Sequence, residues 1–235
     1  MLWHDEENRY VTSCWKWTAA AAIVAAAPSQ AATPRELLVQ AAFQTTDEDQ
    51  ALQLVNQAIA QAEAGLQANP RDREAYFQHA MGIGYRAKLT RKPGDAKQSR
   101  RMLEQYVLQN PRDPEAQLAI GGWHLDAIAD GFLAATVLGA KKDMGVTGID
   151  RSVQFGGDRA FFKGFAAMMH IRLEPKNVAV ARGLAEQAAR APTPTPLDRI
   201  AKRDAEAMLI PLRAGDGKAA AQLARRLLPF GRLDD

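Results

Sequence analysis

The sequence predicts an all-α fold of stacked helical hairpins, about five of them. Three observations carry that expectation. About one residue in five is alanine, the best helix former and a poor strand former. No stretch alternates apolar and polar residues for long enough to argue a strand. A seven-residue motif also recurs. Residues 69–75 read Asn-Pro-Arg-Asp-Arg-Glu-Ala and residues 110–116 read Asn-Pro-Arg-Asp-Pro-Glu-Ala, with six of seven positions identical at a spacing of 41. Each copy ends one helix and starts another. Proline cannot continue the preceding helix, the aspartate caps the next, and the glutamate sits well in its first turn.

The first 31 residues carry an expectation of their own. Lys16 precedes an apolar run from Thr18 to Ala27, Pro28 breaks it, and Ser29-Gln30-Ala31 places small residues ahead of a cut before Ala32. That order matches a secretory signal peptide, and the run is too short to span a bilayer. An alanine-rich first helix of the folded domain is the alternative. The acidic stretch Met1–Tyr10 does not fit such a signal, which points to a true start at Val11. Cys14 lies ahead of the apolar run, so it is not placed as a lipid-anchoring cysteine. Cleavage leaves a chain with no cysteine, which suits an oxidising compartment and excludes a disulfide framework. The expectation is a periplasmic or secreted domain over residues 32–235.

Within that domain ten helices are expected, near 34–44, 47–68, 72–90, 95–109, 113–138, 143–155, 158–173, 177–191, 196–213 and 216–228. Breakers agree at the joints: Pro93-Gly94, Gly139, Gly156-Gly157, Pro192 to Pro196, and Gly215-Asp216-Gly217. Asp95, Asp158 and Asp216 sit just before or at helix starts, as caps should. The prolines at 192, 194 and 196 read as a turn between hairpins, with a short rigid linker as the alternative. Pro211 falls inside a helix and should kink it.

Small residues mark close contacts. Ala58, Ala62 and Gly65 share one side of the second helix, Ser99, Leu103 and Tyr106 hold the equivalent places before Pro111, and Ala220 and Ala224 repeat the pattern near the end. Gly121-Gly122 lies inside a helix, next to Trp123 and His124, where each glycine costs about 1 kcal/mol against alanine. Either a neighbouring helix packs closely there or a ligand approaches the backbone beside Trp123. The stripe Phe161, Phe162, Phe165, Met168 and Met169 reads as core.

Together the proline–aspartate–glutamate–alanine joints and the small residues of the second helices resemble the tetratricopeptide repeat family, in a degenerate form of the exported bacterial type. The resemblance is close over roughly 47–125 and loose over 156–229. It implies a TPR-like α-solenoid whose inner groove is lined from the first helix of each hairpin. Carried onto this chain, those positions are Phe77, Met81 and Tyr85, with Leu118, Leu125 and Asp126 from the next unit. It also implies a protein-binding scaffold or adaptor in the cell envelope, with a protein or peptide partner and no catalysis. The second reading is a ligand-binding accessory of a solute transporter, a role that related exported repeat proteins play.

Chemistry-bearing motifs are few. His79, His124 and His170 are far apart in sequence, and no second histidine or cysteine lies within helical reach of any of them, so no metal or other cofactor is called for. The segment Gly139-Ala-Lys-Lys-Asp-Met-Gly145 lacks the ending of a phosphate loop and reads as a turn with solvated lysines. Ser99 and Ser152 have no glycine-flanked elbow. The densest charge is residues 86–101, where Arg86, Lys88, Arg91, Lys92, Lys97, Arg100 and Arg101 face the single acid Asp95. It fits an anionic partner such as an envelope surface, or else a solvated tip. A net charge of +3 and the absence of interleaved aromatics argue against nucleic acid. The readings separate on geometry. A peptide groove needs an open row along Phe77, Tyr85 and Leu118; a small-ligand site needs a closed cavity near Trp123 and His124; an enzyme needs converging histidines and carboxylates.

Overall fold

The computed structural model describes residues 31–233, so residues 1–30 of the expected signal peptide and Asp234-Asp235 lie outside the described residues. Within them the chain is all-α, with eleven helices and no strand. They are α1 Pro34–Phe43, α2 Glu48–Ala68, α3 Arg73–Thr90, α4 Pro93–Gln109, α5 Pro114–Ala129, α6 Phe132–Leu138, α7 Lys142–Phe155, α8 Ala160–Leu173, α9 Val178–Arg190, α10 Pro196–Arg213 and α11 Gly217–Leu227.

The repeated motif works as its residue types require. Asp72 accepts from the Ala75 amide at 3.0 Å, and Asp113 accepts from Glu115 and Ala116 at 2.9 and 3.2 Å. Asp216 caps α11 in the same way, through the Ala219 amide at 2.9 Å. Asp158 does not cap α8. The cap position is Arg159, and the carboxylate of Asp198 reaches over from α10 to take the Phe161 amide at 2.9 Å. Asp95 sits in the first turn of α4, paired with Arg86, while the cap position is Lys92.

One expected helix is two. The stretch 113–138 breaks at Asp130-Gly131, where Gly131 takes φ +110, a backbone that side-chain-bearing residues rarely adopt. The apolar pattern runs through this break, which is why periodicity alone does not reveal it. The short α6 that follows has no buried residue.

Pairing follows the hairpin logic: α1 with α2, α3 with α4, α5 with α7 across the inserted α6, α8 with α9, and α10 with α11. First helices also touch in series, α1 to α3, α3 to α5, α5 to α8 and α8 to α10. The small residues sit where close contacts form: Ala58, Ala62, Ala220 and Ala224 are fully buried, and a Cβ on Gly65 would lie 3.2 Å from Ala75. Helix α8 packs against α5, α7, α9, α10 and α11, which explains why it is apolar all round. The triple-proline stretch is an ordinary connection, pinned to the start of α8 by the Ala160 amide on the Pro192 carbonyl at 3.3 Å. Pro211 falls in the last turn of α10, which continues to Arg213.

The C-terminal segment then returns to the beginning of the domain. The Phe230 amide donates to the Ala42 carbonyl at 2.9 Å, Arg232 reaches the Phe43 carbonyl, and Phe230 meets Tyr85 edge-on at 5.0 Å. Phe230 takes φ +64 to make this turn. The last hairpin is thereby tied to the first and second.

Candidate functional site: a cavity between the first helices

Between the first helices lies a cavity of about 600 Å³. Its wall is mostly apolar: Leu38 and Phe43 of α1, Phe77, Met81 and Tyr85 of α3, Leu118 and Trp123 of α5, and Phe161, Phe165 and Met169 of α8. Leu228 and Pro229 of the returning segment and Leu133 and Val137 of α6 complete it. This size and lining are those of a small-molecule site, where apolar walls supply affinity and a few polar groups set orientation.

A chain of charges that the sequence did not disclose links the starts of these helices, and two of its members, Arg35 and Glu115, line the cavity. Arg35, in the first turn of α1, forks onto Glu74 of α3 at 2.7 and 2.9 Å and reaches Glu115 of α5 at 2.6 Å. Arg159, at the start of α8, approaches Glu115 at 3.6 Å and binds Asp198 of α10 at 3.1 Å. The series Glu74–Arg35–Glu115–Arg159–Asp198 therefore gathers the starts of all five first helices. Both glutamates come from the repeated motif. In sequence they look like simple first-turn residues, because their partner is 39 or 80 positions away.

A second ion cluster holds the same helices further along. Asp126 of α5 accepts from Lys88 of α3 at 2.7 Å and from Arg172 of α8. Burial alone would raise the Asp126 carboxyl, but Lys88 and Arg172 outweigh it and hold its pKa down at about 2. Tyr85 stands nearby, its hydroxyl pushed up by burial and by the Asp126 charge, with no hydrogen-bond partner among the described residues. The Trp123 indole N–H is likewise without one. These two donors, with the exposed cations Arg91 and Lys92 that also line the cavity, are polar groups placed to orient a bound molecule.

The glycine pair divides its labour. On Gly121 a Cβ would lie 2.7 Å from the Ile149 amide nitrogen and 2.9 Å from the Gly145 carbonyl, so this glycine lets α7 touch α5. On Gly122 a Cβ would meet nothing within 4 Å, and Gly122 lines the cavity. Close helix packing and open space beside Trp123 are both present, one residue apart.

Of the groove positions implied by the family resemblance, Phe77, Met81, Tyr85, Leu118 and Asp126 are brought together on this wall. Leu125 is not. It turns toward α7, where a Cβ on Gly145 would run into its side chain. Phe77 and Leu118 are each 6% exposed, while Met81 and Tyr85 are half-buried.

The basic residues 86–101 separate into two sets. Arg86 pairs with Asp95, Lys88 with Asp126, and Arg100 donates to the Leu138 and Gly139 carbonyls while lying 5.6 Å over Trp123. Arg91, Lys92 and Arg101 are exposed and Lys97 is half-buried, and none of the four has an acidic partner among the described residues.

The histidines do not converge. His79 meets Glu63, His170 meets Asp150, and His124 accepts the Lys141 amide at 3.2 Å on Nδ1. Its Nε2 is buried without a partner, and burial with Arg100 and Lys141 nearby lowers its pKa to about 4. No group of three or more His, Cys, Asp or Glu among the described residues is placed to hold a metal. Compared with protein-family models, with curated proteins and with solved structures, the chain finds no match.

Proposed function

We propose that this chain is a binding protein for a small, largely apolar molecule, held without chemical change inside the ring of first helices. The observation that carries the reading is the cavity itself, walled by aromatic and aliphatic side chains from α1, α3, α5 and α8. Arg35 and Glu115, Lys88 and Asp126 meet the cavity as ion pairs, while Arg91 and Lys92 line it without an acidic partner. The free donors, Tyr85 and Trp123, favour a molecule with one acceptor group on an apolar body. This supports the ligand-binding reading, such as an accessory to a solute transporter, over the peptide-groove reading. A tetratricopeptide-like scaffold is the natural source of such a ring, because its first helices already line the inner face.

The test is a titration of the full chain with N-phenylnaphthylamine, a small apolar dye that brightens out of water. The expected result is saturation at one dye per chain, with a dissociation constant of roughly ten micromolar or tighter. Unsaturable binding, or none, would remove the basis for the reading.

A further inference from the structure

Helix α6 leaves apolar groups in water. Phe132 is 87% exposed, Leu133 76% and Val137 46%, on a helix with no buried residue. Single exposed apolar side chains are ordinary; three on two turns, on the same short helix, are not. The helix stands between two glycines in the left-handed half of backbone space, Gly131 at φ +110 and Gly139 at φ +69. Its C-terminal carbonyls are held by Arg100 of α4 at 2.9 and 3.0 Å.

That bond fixes what surrounds α6. Arg101 is the next residue of α4 and is exposed, and Lys141 and Lys142 follow Gly139 directly and are exposed. Lys92 shares a cavity wall with Leu133 and Val137, and Arg91 precedes it. Against these five cations stand Asp130, 3.7 Å from Arg172, and Asp143 in the first turn of α7. An apolar tip rimmed by unpaired cations is complementary to an anionic lipid surface. The apolar side chains enter the acyl boundary while lysine and arginine reach the headgroups. A protein groove supplies apolar contact with no need for the cationic rim.

We infer that α6, with Phe132 outermost, and the cations Arg91, Lys92, Arg101, Lys141 and Lys142 form a docking surface for an anionic lipid bilayer. Docking is peripheral, since no helix among the described residues is long and apolar enough to cross a membrane. Leu133, Val137, Arg91 and Lys92 also border the cavity, whereas Phe132, Arg101, Lys141 and Lys142 do not.

Vesicle co-sedimentation of the full chain tests it, using phosphatidylcholine with and without phosphatidylglycerol. Neither Phe132 nor the cations Arg101, Lys141 and Lys142 line the cavity; far-UV circular dichroism and thermal denaturation report whether each variant is still folded. The full chain should partition onto the anionic vesicles, more weakly in high salt and much more weakly onto neutral ones. Phe132→Ser should lower that partition about tenfold. Reversing Arg101, Lys141 and Lys142 to glutamate should lower it by about fivefold per cation or more. Equal partition of the full chain and both variants would overturn the inference, because binding would then lie elsewhere in the chain. An absence of partition would also overturn it, and self-association in sedimentation that Phe132→Ser abolishes would then make the occupant a second copy.

Discussion

At the scale of single residues, His124 and the adjacent glycines Gly121 and Gly122 carry measurable consequences. His124 is 1% exposed and neutral, with its pKa lowered from 6.5 to about 4 by burial and by the neighbouring Arg100 and Lys141. Between these values the unfolded chain binds the proton and the folded chain does not. Stability is therefore full above about pH 6.5 and falls as the pH drops toward 4, by up to about 1.4 kcal/mol per unit. Urea denaturation from pH 7 to 4 should show this slope, and His124→Gln should flatten it; parallel curves would place the titration elsewhere. Gly121 and Gly122 make the second pair. Gly121→Ala should cost about 3 kcal/mol, since its Cβ collides with α7 backbone. Gly122→Ala, facing open space, should gain about 1 kcal/mol. The sequence raised both explanations for these glycines without assigning them. Helical spacing reports that two residues differ in direction, but not which neighbour stands on either side.

At the scale of elements, the helices and most of their ends were legible because their signals are local: a proline, an aspartate cap, a glycine. What was not legible came from other helices. Asp158 has the sequence position of a cap, yet α8 is capped by Asp198, 37 residues beyond the amide it binds. Buried Asp198 also takes Arg159 and Thr195. Asp198→Ala should cost roughly 3–5 kcal/mol, by stranding Arg159 and the Phe161 amide. Arg35→Ala removes two ion pairs but from a half-exposed site, and should cost only about 1 kcal/mol. Thermal denaturation of the two variants separates these outcomes; equal losses would mean that the charge series acts as one cooperative unit. The break before α6 escaped notice for a related reason. Its apolar residues continue the period of α5, and only the φ of Gly131 redirects the chain.

At the scale of the whole domain, the stacked hairpins follow from joints that the sequence carries, but the return of the C-terminal segment does not. That return depends on Phe230, Ala42 and Tyr85, which are distant in sequence and carry no motif. Phe230→Ala should cost about 3 kcal/mol if the returning segment is part of the folded unit. A loss under 1 kcal/mol in equilibrium unfolding would show that the ring holds without it. The returning segment also adds Leu228 and Pro229 to the wall of the cavity of about 600 Å³.

That cavity is the central claim, and two matched substitutions test it most directly. Gly122 and Gly183 both lie within helices, and a Cβ on either meets nothing within 4 Å, but only Gly122 lines the cavity. Dye titration of Gly122→Leu should show affinity reduced at least tenfold with the fold intact, while Gly183→Leu binds as the unsubstituted chain does. Unchanged binding in Gly122→Leu, or an equal loss in both, would contradict the account.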